Sequence, residues 1–156
     1  MRRWPLAPGL RDWTDLLAAL DGAGIRYLVV GGVAVGFHGE VRYTKDLDLL
    51  LAIDRENVAT LVAALREFGV AVPLATEQEL LTEDFIFWFG AAPWRIDLLT
   101  TIPGVDFEEA YAERVPMPLG DRTATCISRR HLIAAKLASD RTQDFADVEN
   151  LLRTAP

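Results

Sequence analysis

Three aspartates stand inside runs that otherwise carry the pattern of buried β-strands. Asp46 and Asp48 lie in Tyr43-Thr44-Lys45-Asp46-Leu47-Asp48-Leu49-Leu50-Leu51, and Asp97 lies in Trp94-Arg95-Ile96-Asp97-Leu98-Leu99. Aspartate is depleted in strands, and a carboxylate carried into an apolar layer is costly unless something compensates its charge. A period of two puts Leu47, Leu49 and Leu51 on one side of the first run and Asp46, Asp48 and Leu50 on the other. In the later run Arg95, Asp97 and Leu99 share one face, and Trp94, Ile96 and Leu98 the other. Residues i and i+2 of a strand lie roughly 6–7 Å apart on the same face. Such a pair can grip two hard cations about 3.5–4 Å from each other, the geometry that clamps an in-line phosphoryl displacement. Magnesium prefers oxygen ligands, so carboxylates are the residues expected. The plainer reading of an Asp-x-Asp is the solvent face of an amphipathic strand; a third strand aspartate tilts the balance towards bound metal.

The rest of the chain alternates between helical and strand patterns. Leu10, Trp13, Leu17 and Leu20 predict an amphipathic helix stopped near Gly22, followed by a buried strand over Tyr27 to Val30. Gly31-Gly32 breaks that strand, and Val33 to Phe37 predicts a short helix released at Gly39. Asp54 caps a helix whose stripe is Val58, Leu61, Val62, Leu65 and Phe68, ending at Gly69. Asp84 to Gly90 and Trp94 to Leu99 read as neighbouring strands turned at Ala92-Pro93. Phe107 to Arg114 predicts a helix, and Val115 to Leu119 with Thr123 to Ile127 a hairpin about Gly120-Asp121. Ser128 caps a helix holding Leu132, Ile133, Lys136 and Leu137, and Phe145, Val148, Leu151 and Leu152 define a last one. The fold class expected is α/β, a mixed twisted sheet flanked by helices with the C-terminal helices packed on it, as a single domain over residues 1–156.

A glycine pair between a buried strand and a helix suits phosphate binding, because backbone N–H groups can approach an anion and the helix N-terminus adds positive potential. The dinucleotide fingerprint fails here, since Val33 stands where its second glycine belongs. The Walker pattern fails as well, since Phe37 and His38 follow Gly36 in place of Lys and Ser or Thr. Taken alone, Gly31-Gly32 reads as a tight turn with no ligand.

Composition narrows the partners. Sixteen Lys and Arg against 23 Asp and Glu give a net charge of −7, so overall charge offers nucleic acid no general attraction, although a local basic patch can still meet phosphate. Cys126 is the sole cysteine, which excludes an intrachain disulfide and a Cys-rich zinc site. The start, Met1-Arg2-Arg3-Trp4-Pro5, lacks the apolar stretch of a signal peptide, and Tyr27 to Phe37 falls well short of the roughly 20 residues of a membrane helix. A cytoplasmic protein without a membrane partner is expected.

Taken together, Gly31-Gly32, Asp46-Leu47-Asp48 and the later strand residue Asp97 resemble the nucleotidyltransferase superfamily of the polymerase-beta type. The longer string Gly31-Gly32-Val33-Ala34, His38-Gly39 and Arg42-Tyr43-Thr44-Lys45-Asp46-Leu47-Asp48, with Lys136, Arg141, Asp144 and Asp147, is similar to its small bacterial members. These include the abortive-infection and toxin–antitoxin nucleotidyltransferases. The resemblance spans about residues 25–152. It implies that Asp46 and Asp48 bind two magnesium (or manganese) ions, and that Asp97 binds one of them and orients or deprotonates an attacking hydroxyl. Gly31 and Gly32 would hold the triphosphate of an NTP, and Lys136 would contact its phosphate. The reaction implied is transfer of a nucleoside monophosphate to an acceptor hydroxyl on RNA, protein or a small molecule, with a toxin or antitoxin as a further partner.

Other residues carry open alternatives. Arg42, Thr44 and Lys45 precede the aspartates where a cation can meet phosphate, or form a solvated strand end. Lys136 contacts phosphate or pairs with Asp144 or Asp147. Arg141, Asp144 and Asp147 are read first as a salt-bridge cluster fixing the last two helices. His38 and His131 lack zinc spacing and are assigned to packing or capping, and Trp88 and Trp94 are assigned to the core in preference to stacking on a base. The competing functions are a non-catalytic binding protein of the same fold, such as an antitoxin, and adenylylation of a small molecule such as an aminoglycoside. The last ranks third because no extra domain for a drug is recognisable.

Overall fold

Tyr27, Leu28, Val29 and Val30 are buried without exception and form β1 (Tyr27–Val30), an interior strand. The computed structural model describes residues 10–40, 44, 46–91, 95–139 and 141–154. Ahead of β1 runs α1 (Leu10–Gly22), which buries Trp13, Leu17 and Leu20 as their spacing predicts. Behind it comes α2 (Gly31–His38), which begins on the first glycine of the pair; the break in the strand is therefore also the first turn of the helix. β2 (Asp46–Leu51) follows, with Leu47, Leu49 and Leu51 fully buried on the side opposite the two aspartates.

Asp54 caps α3 (Arg55–Phe68) by accepting a hydrogen bond from Asn57 N at 2.9 Å, and Gly69 ends it in the left-handed conformation, φ 105°. A short helix α4 (Leu74–Glu79) comes next, over a run without helical periodicity. Its six residues are mostly polar and lack an apolar stripe, and it rests on local geometry after Pro73. The strands β3 (Ile86–Phe89) and β4 (Arg95–Leu99) pair as neighbours; the predicted turn at Ala92-Pro93, and Trp94, lie outside the described residues. α5 (Phe107–Ala112) is shorter than predicted, and β5 (Val115–Leu119) and β6 (Arg122–Cys126) form the hairpin about Gly120-Asp121. Ser128 accepts from His131 N to cap α6 (Arg129–Ala138), and α7 (Thr142–Arg153) closes the described chain.

The six strands make one mixed sheet in the order β3-β4-β2-β1-β6-β5. β1 pairs parallel with β6, β2 pairs parallel with β4, and the other neighbours are antiparallel. The fold is thus the α/β class with helices packed on a mixed sheet, including the two C-terminal ones. α2 touches β1, β2, α6 and α7 and so ties the glycine turn to the C-terminal helix pair. Three bonds lock its end: His38 Nε2 to Ile127 O at 2.7 Å, Arg129 to His38 O at 2.9 Å, and Glu40 N to Asn150 at 2.7 Å. No described helix is long and apolar enough to cross a membrane.

Candidate active site

The register of the sheet decides which polar side chains meet. In the parallel pair β2–β4, Asp48 lies opposite Asp97 and Asp46 opposite Arg95. On the far side of β4, Trp88 lies opposite Asp97, and on the far side of β2, Val30 lies opposite Asp48. Partners in register share a face, so Trp88, Asp97 and Asp48 form one row, with Arg95 and Asp46 in the next. Two carboxylates chosen by period two within β2 are joined by a third from a strand some fifty positions later.

Asp46, Asp48, Arg95 and Asp97 line a cleft of about 570 Å³. Its walls come from Val30 and Gly31 at the start of α2, from Lys136 on α6, and from Asp144 at the start of α7. Ile86, Leu99 and Thr101 extend it towards β3, with Asp84 at the rim. Asp84 is the one described non-glycine residue with positive φ, 57°, and its Oδ1 accepts from Thr101 Oγ1 at 2.9 Å.

Gly31 has φ +66°, and a Cβ built there would overlap the Asp48 carboxyl, 2.9 Å from its Cγ. The lack of a side chain is what lets Asp48 turn in against the glycine backbone. Burial pushes the Asp48 carboxyl up, and the nearby charges of Asp97 and Asp46 push it further, to about 7, against a smaller opposing pull from Lys136. The unfolded chain gives up this proton near 3.8 and the folded chain near 7, so the contribution of Asp48 to stability is full below 3.8 and lost as pH rises through 7. In chelator, the thermal midpoint should fall between pH 5 and pH 8, and Asp48→Asn should flatten that part of the profile. Equal slopes for parent and variant in thermal melts would contradict it.

Lys136 is buried, and its Nζ lies 2.9 Å from Asp144 Oδ1 and 3.2 Å from Asp147 Oδ2. Asp144 also accepts from Ser139 Oγ and from Arg141 Nε at 2.9 Å. Of the expected Arg141, Asp144 and Asp147 cluster, Arg141 pairs with Asp144, while the link between the last two helices is made by Lys136, which also lines the cleft. Burial raises the Asp144 carboxyl, but hydrogen bonds from Ser139, Lys136 and Arg141 outweigh it and hold the group at about 2.

Of the predicted site residues, the cleft brings together Asp46, Asp48, Asp97, Gly31 and Lys136. Gly32 is buried behind it, and Thr44 Oγ1 donates to Asp46 O at 3.3 Å in place of lining the cleft. Arg42 and Lys45 lie outside the described residues. Trp88 departs from the core position that its chemistry predicts: it is 57 % exposed, because β3 is an edge strand and its outer face carries Ile86 and Trp88. Period two puts Arg95 on the face of Asp97 but carries no sign of its pairing with Asp46. Period two shows which face a side chain takes; only the cross-strand register shows what it meets.

No protein-family model and no curated protein sequence matches the chain. Solved structures do. The lincosamide antibiotic adenylyltransferase LnuA, bound to lincomycin, matches with a TM-score of 0.60 at 15% identity, over 95% of this chain and 99% of that one. ANT(2")-Ia, in complex with adenylyl-2"-tobramycin, matches with a TM-score of 0.60 at 18% identity, over 92% and 87%. An antigenic nucleotidyltransferase-like protein from Paracoccidioides brasiliensis matches with a TM-score of 0.55 at 13% identity, over 93% and 74%. The chain has the fold of the nucleotidyltransferase superfamily.

Whether the acidic residues suit a divalent cation can be judged from their chemistry. Carboxylate oxygens on adjacent strands are the donors that magnesium prefers, and the missing side chain of Gly31 gives the Asp48 carboxyl the space it occupies. Among the described residues, no three carboxylate, imidazole or thiol groups stand together as a ready ligand set. The Arg95 guanidinium engages Asp97 and Asp46. By the chemistry of its oxygens the donor set fits the cation.

Proposed function

We propose that this chain is a magnesium-dependent nucleotidyltransferase, moving a nucleoside monophosphate from a nucleoside triphosphate to an acceptor hydroxyl. The observation that carries the reading is Asp48 opposite Asp97 across the β2–β4 pair, in one cleft with Gly31 and Lys136. Asp46, Asp48 and Asp97 are the residues that would hold the cations, which when bound supply charge neutralisation on the phosphates. Asp97 would orient the acceptor hydroxyl and take its proton as the new O–P bond forms and the bond to pyrophosphate breaks. Gly31 would meet the triphosphate in the cleft it lines beside Asp48, and Lys136 would present its cation from the facing helix. Catalysis of this kind is mainly positioning plus charge stabilisation.

A small molecule is the acceptor class that the neighbours favour. The chain spans 99% of lincomycin-bound LnuA, so a protein of this extent holds such a compound without a further domain. That removes the ground for ranking small-molecule adenylylation third, behind a nucleotidyltransferase of unassigned acceptor, in a toxin–antitoxin or phage-defence setting, and behind a binding protein. The second reading, a non-catalytic binding protein, is favoured by one observation: Arg95 already engages two of the three carboxylates.

Calorimetry with magnesium and each of the four common triphosphates, followed by mass spectrometry of small hydroxylated amines, RNA and protein incubated with the preferred one, separates them. A mass increase of one nucleoside monophosphate that needs Asp97 supports the enzyme. Tight nucleotide binding with no transfer to any acceptor class defeats it in favour of the binding protein.

A further inference from the structure

The acidic row carries a cation of its own. Arg95 Nε stands 2.8 Å from Asp97 Oδ1, its Nη2 donates to Asp97 Oδ2 at 3.1 Å, and the same Nη2 lies 3.7 Å from Asp46 Oδ2. The Nε and Oδ1 atoms are buried and close, yet neither has a hydrogen-bonded partner. The close pair is therefore held by charge without the alignment of a full fork of two parallel N–H···O bonds. On its other side the guanidinium carbon lies 5.2 Å from the ring centre of Trp88, within the range of a cation–π contact.

Exposure is unequal across this pair. The Arg95 side chain is 39% exposed and that of Asp97 only 13%. The carboxylates are held by the backbone of two interior strands, whereas the guanidinium sits on a long side chain at the open edge of the cleft beside an exposed ring. If one partner leaves, it is the arginine.

We propose that Arg95 is the internal counter-ion of Asp46 and Asp97, a positioning residue that must release them before a divalent cation is held, so that metal binding to this protein is a displacement. This inference rests on the nucleotidyltransferase reading above. It accounts for the lack of a closed ligand set, because a guanidinium and a metal ion compete for the same oxygens. In the metal-free protein Arg95 offsets the mutual repulsion of the aspartates. In the metal-bound protein it must find another anion or solvent. The apparent metal affinity is then lowered by the small fraction of molecules in which Arg95 has let go.

The test is Mn2+ binding to the full chain without nucleotide, followed by the electron-spin signal of the free ion, for the parent, Arg95→Gln and Arg95→Lys. Removal of the competitor should tighten Mn2+ binding about tenfold in Arg95→Gln, with Arg95→Lys in between. Affinity unchanged or weakened in Arg95→Gln overturns the proposal. Should that variant not fold, the parent itself decides. The Arg95 Nε–Hε resonance, assigned by its loss in Arg95→Lys, should shift when Mg2+ saturates the protein, and a resonance that stays in place overturns the proposal. Magnesium-dependent transfer by the parent, with no gain of metal affinity in Arg95→Gln, defeats this inference alone. Failure of both proteins to bind Mn2+ defeats it together with the functional reading.

Discussion

Asp48→Asn should lower magnesium-dependent nucleotide transfer by roughly 10³-fold or more, a loss of about 4 kcal/mol of transition-state stabilisation. Asparagine keeps the shape that packs against Gly31 but withdraws the one carboxylate that faces Asp97 across the strand pair. The same change removes a charge that burial and two like-charged neighbours disfavour, so the variant should melt no lower than the parent at pH 8 in chelator. A large loss of activity together with unchanged or raised stability separates a chemical role from a folding defect. Transfer at the parent's rate would take Asp48 out of the mechanism.

Lys136→Met should be the most destabilising single change in the cleft, by about 3–5 kcal/mol. Asp144 and Asp147 are 1% and 3% exposed, and the lysine ammonium lies within 3.2 Å of both. Methionine fills a similar volume but leaves two buried carboxylates without that cation; Ser139 and Arg141 still reach Asp144. For a chain of this size the loss corresponds to a fall of about 10 °C in the thermal midpoint. Adding Asp144→Asn and Asp147→Asn should recover much of it, because the cost lies in buried negative charge deprived of the ammonium and less in lost packing. A midpoint within about 2 °C of the parent would show that the pair is not structural. The pH dependence follows from the same contacts. Asp144 is held at about 2, below its ordinary 3.8, so its stabilising contribution is present above 3.8 and lost as pH falls through 2.

The two alternatives for Lys136, ion pairing and phosphate contact, are compatible in this structure. The lysine pairs with both aspartates and also faces the cleft, and the proposed phosphate contact need not break the pairing, since an ammonium has three donors. A nucleotide-affinity loss in Lys136→Met is interpretable only beside its melting curve.

Much of the fold was legible because the signals are local. Alternation of Leu47, Leu49 and Leu51 with Asp46 and Asp48 encodes a half-buried strand whatever lies next to it. Asp54, Ser128 and Gly69 mark helix ends because their side chains, or the lack of one, satisfy terminal backbone groups on the spot. Even the expectation that Asp97 shares a face with Arg95 needs only the pleat of one strand. α4 escaped notice for the opposite reason: Leu-Ala-Thr-Glu-Gln-Glu has no apolar stripe to announce a helix.

Tertiary structure alone decided what those faces meet. Trp88 was assigned to the core on its chemistry, and the strand order made it an exposed edge residue on the cleft side. The overlap of Asp48 with the space above Gly31 and the meeting of Arg95 with Asp46 join separate segments of the chain, and the pairing of Lys136 with Asp144 depends on how α6 and α7 dock. Periodicity fixes the direction of a side chain because it depends on one strand or helix. Pairing depends on sheet register and helix docking, which the balance of buried contacts over the whole chain sets, and no local pattern contains it.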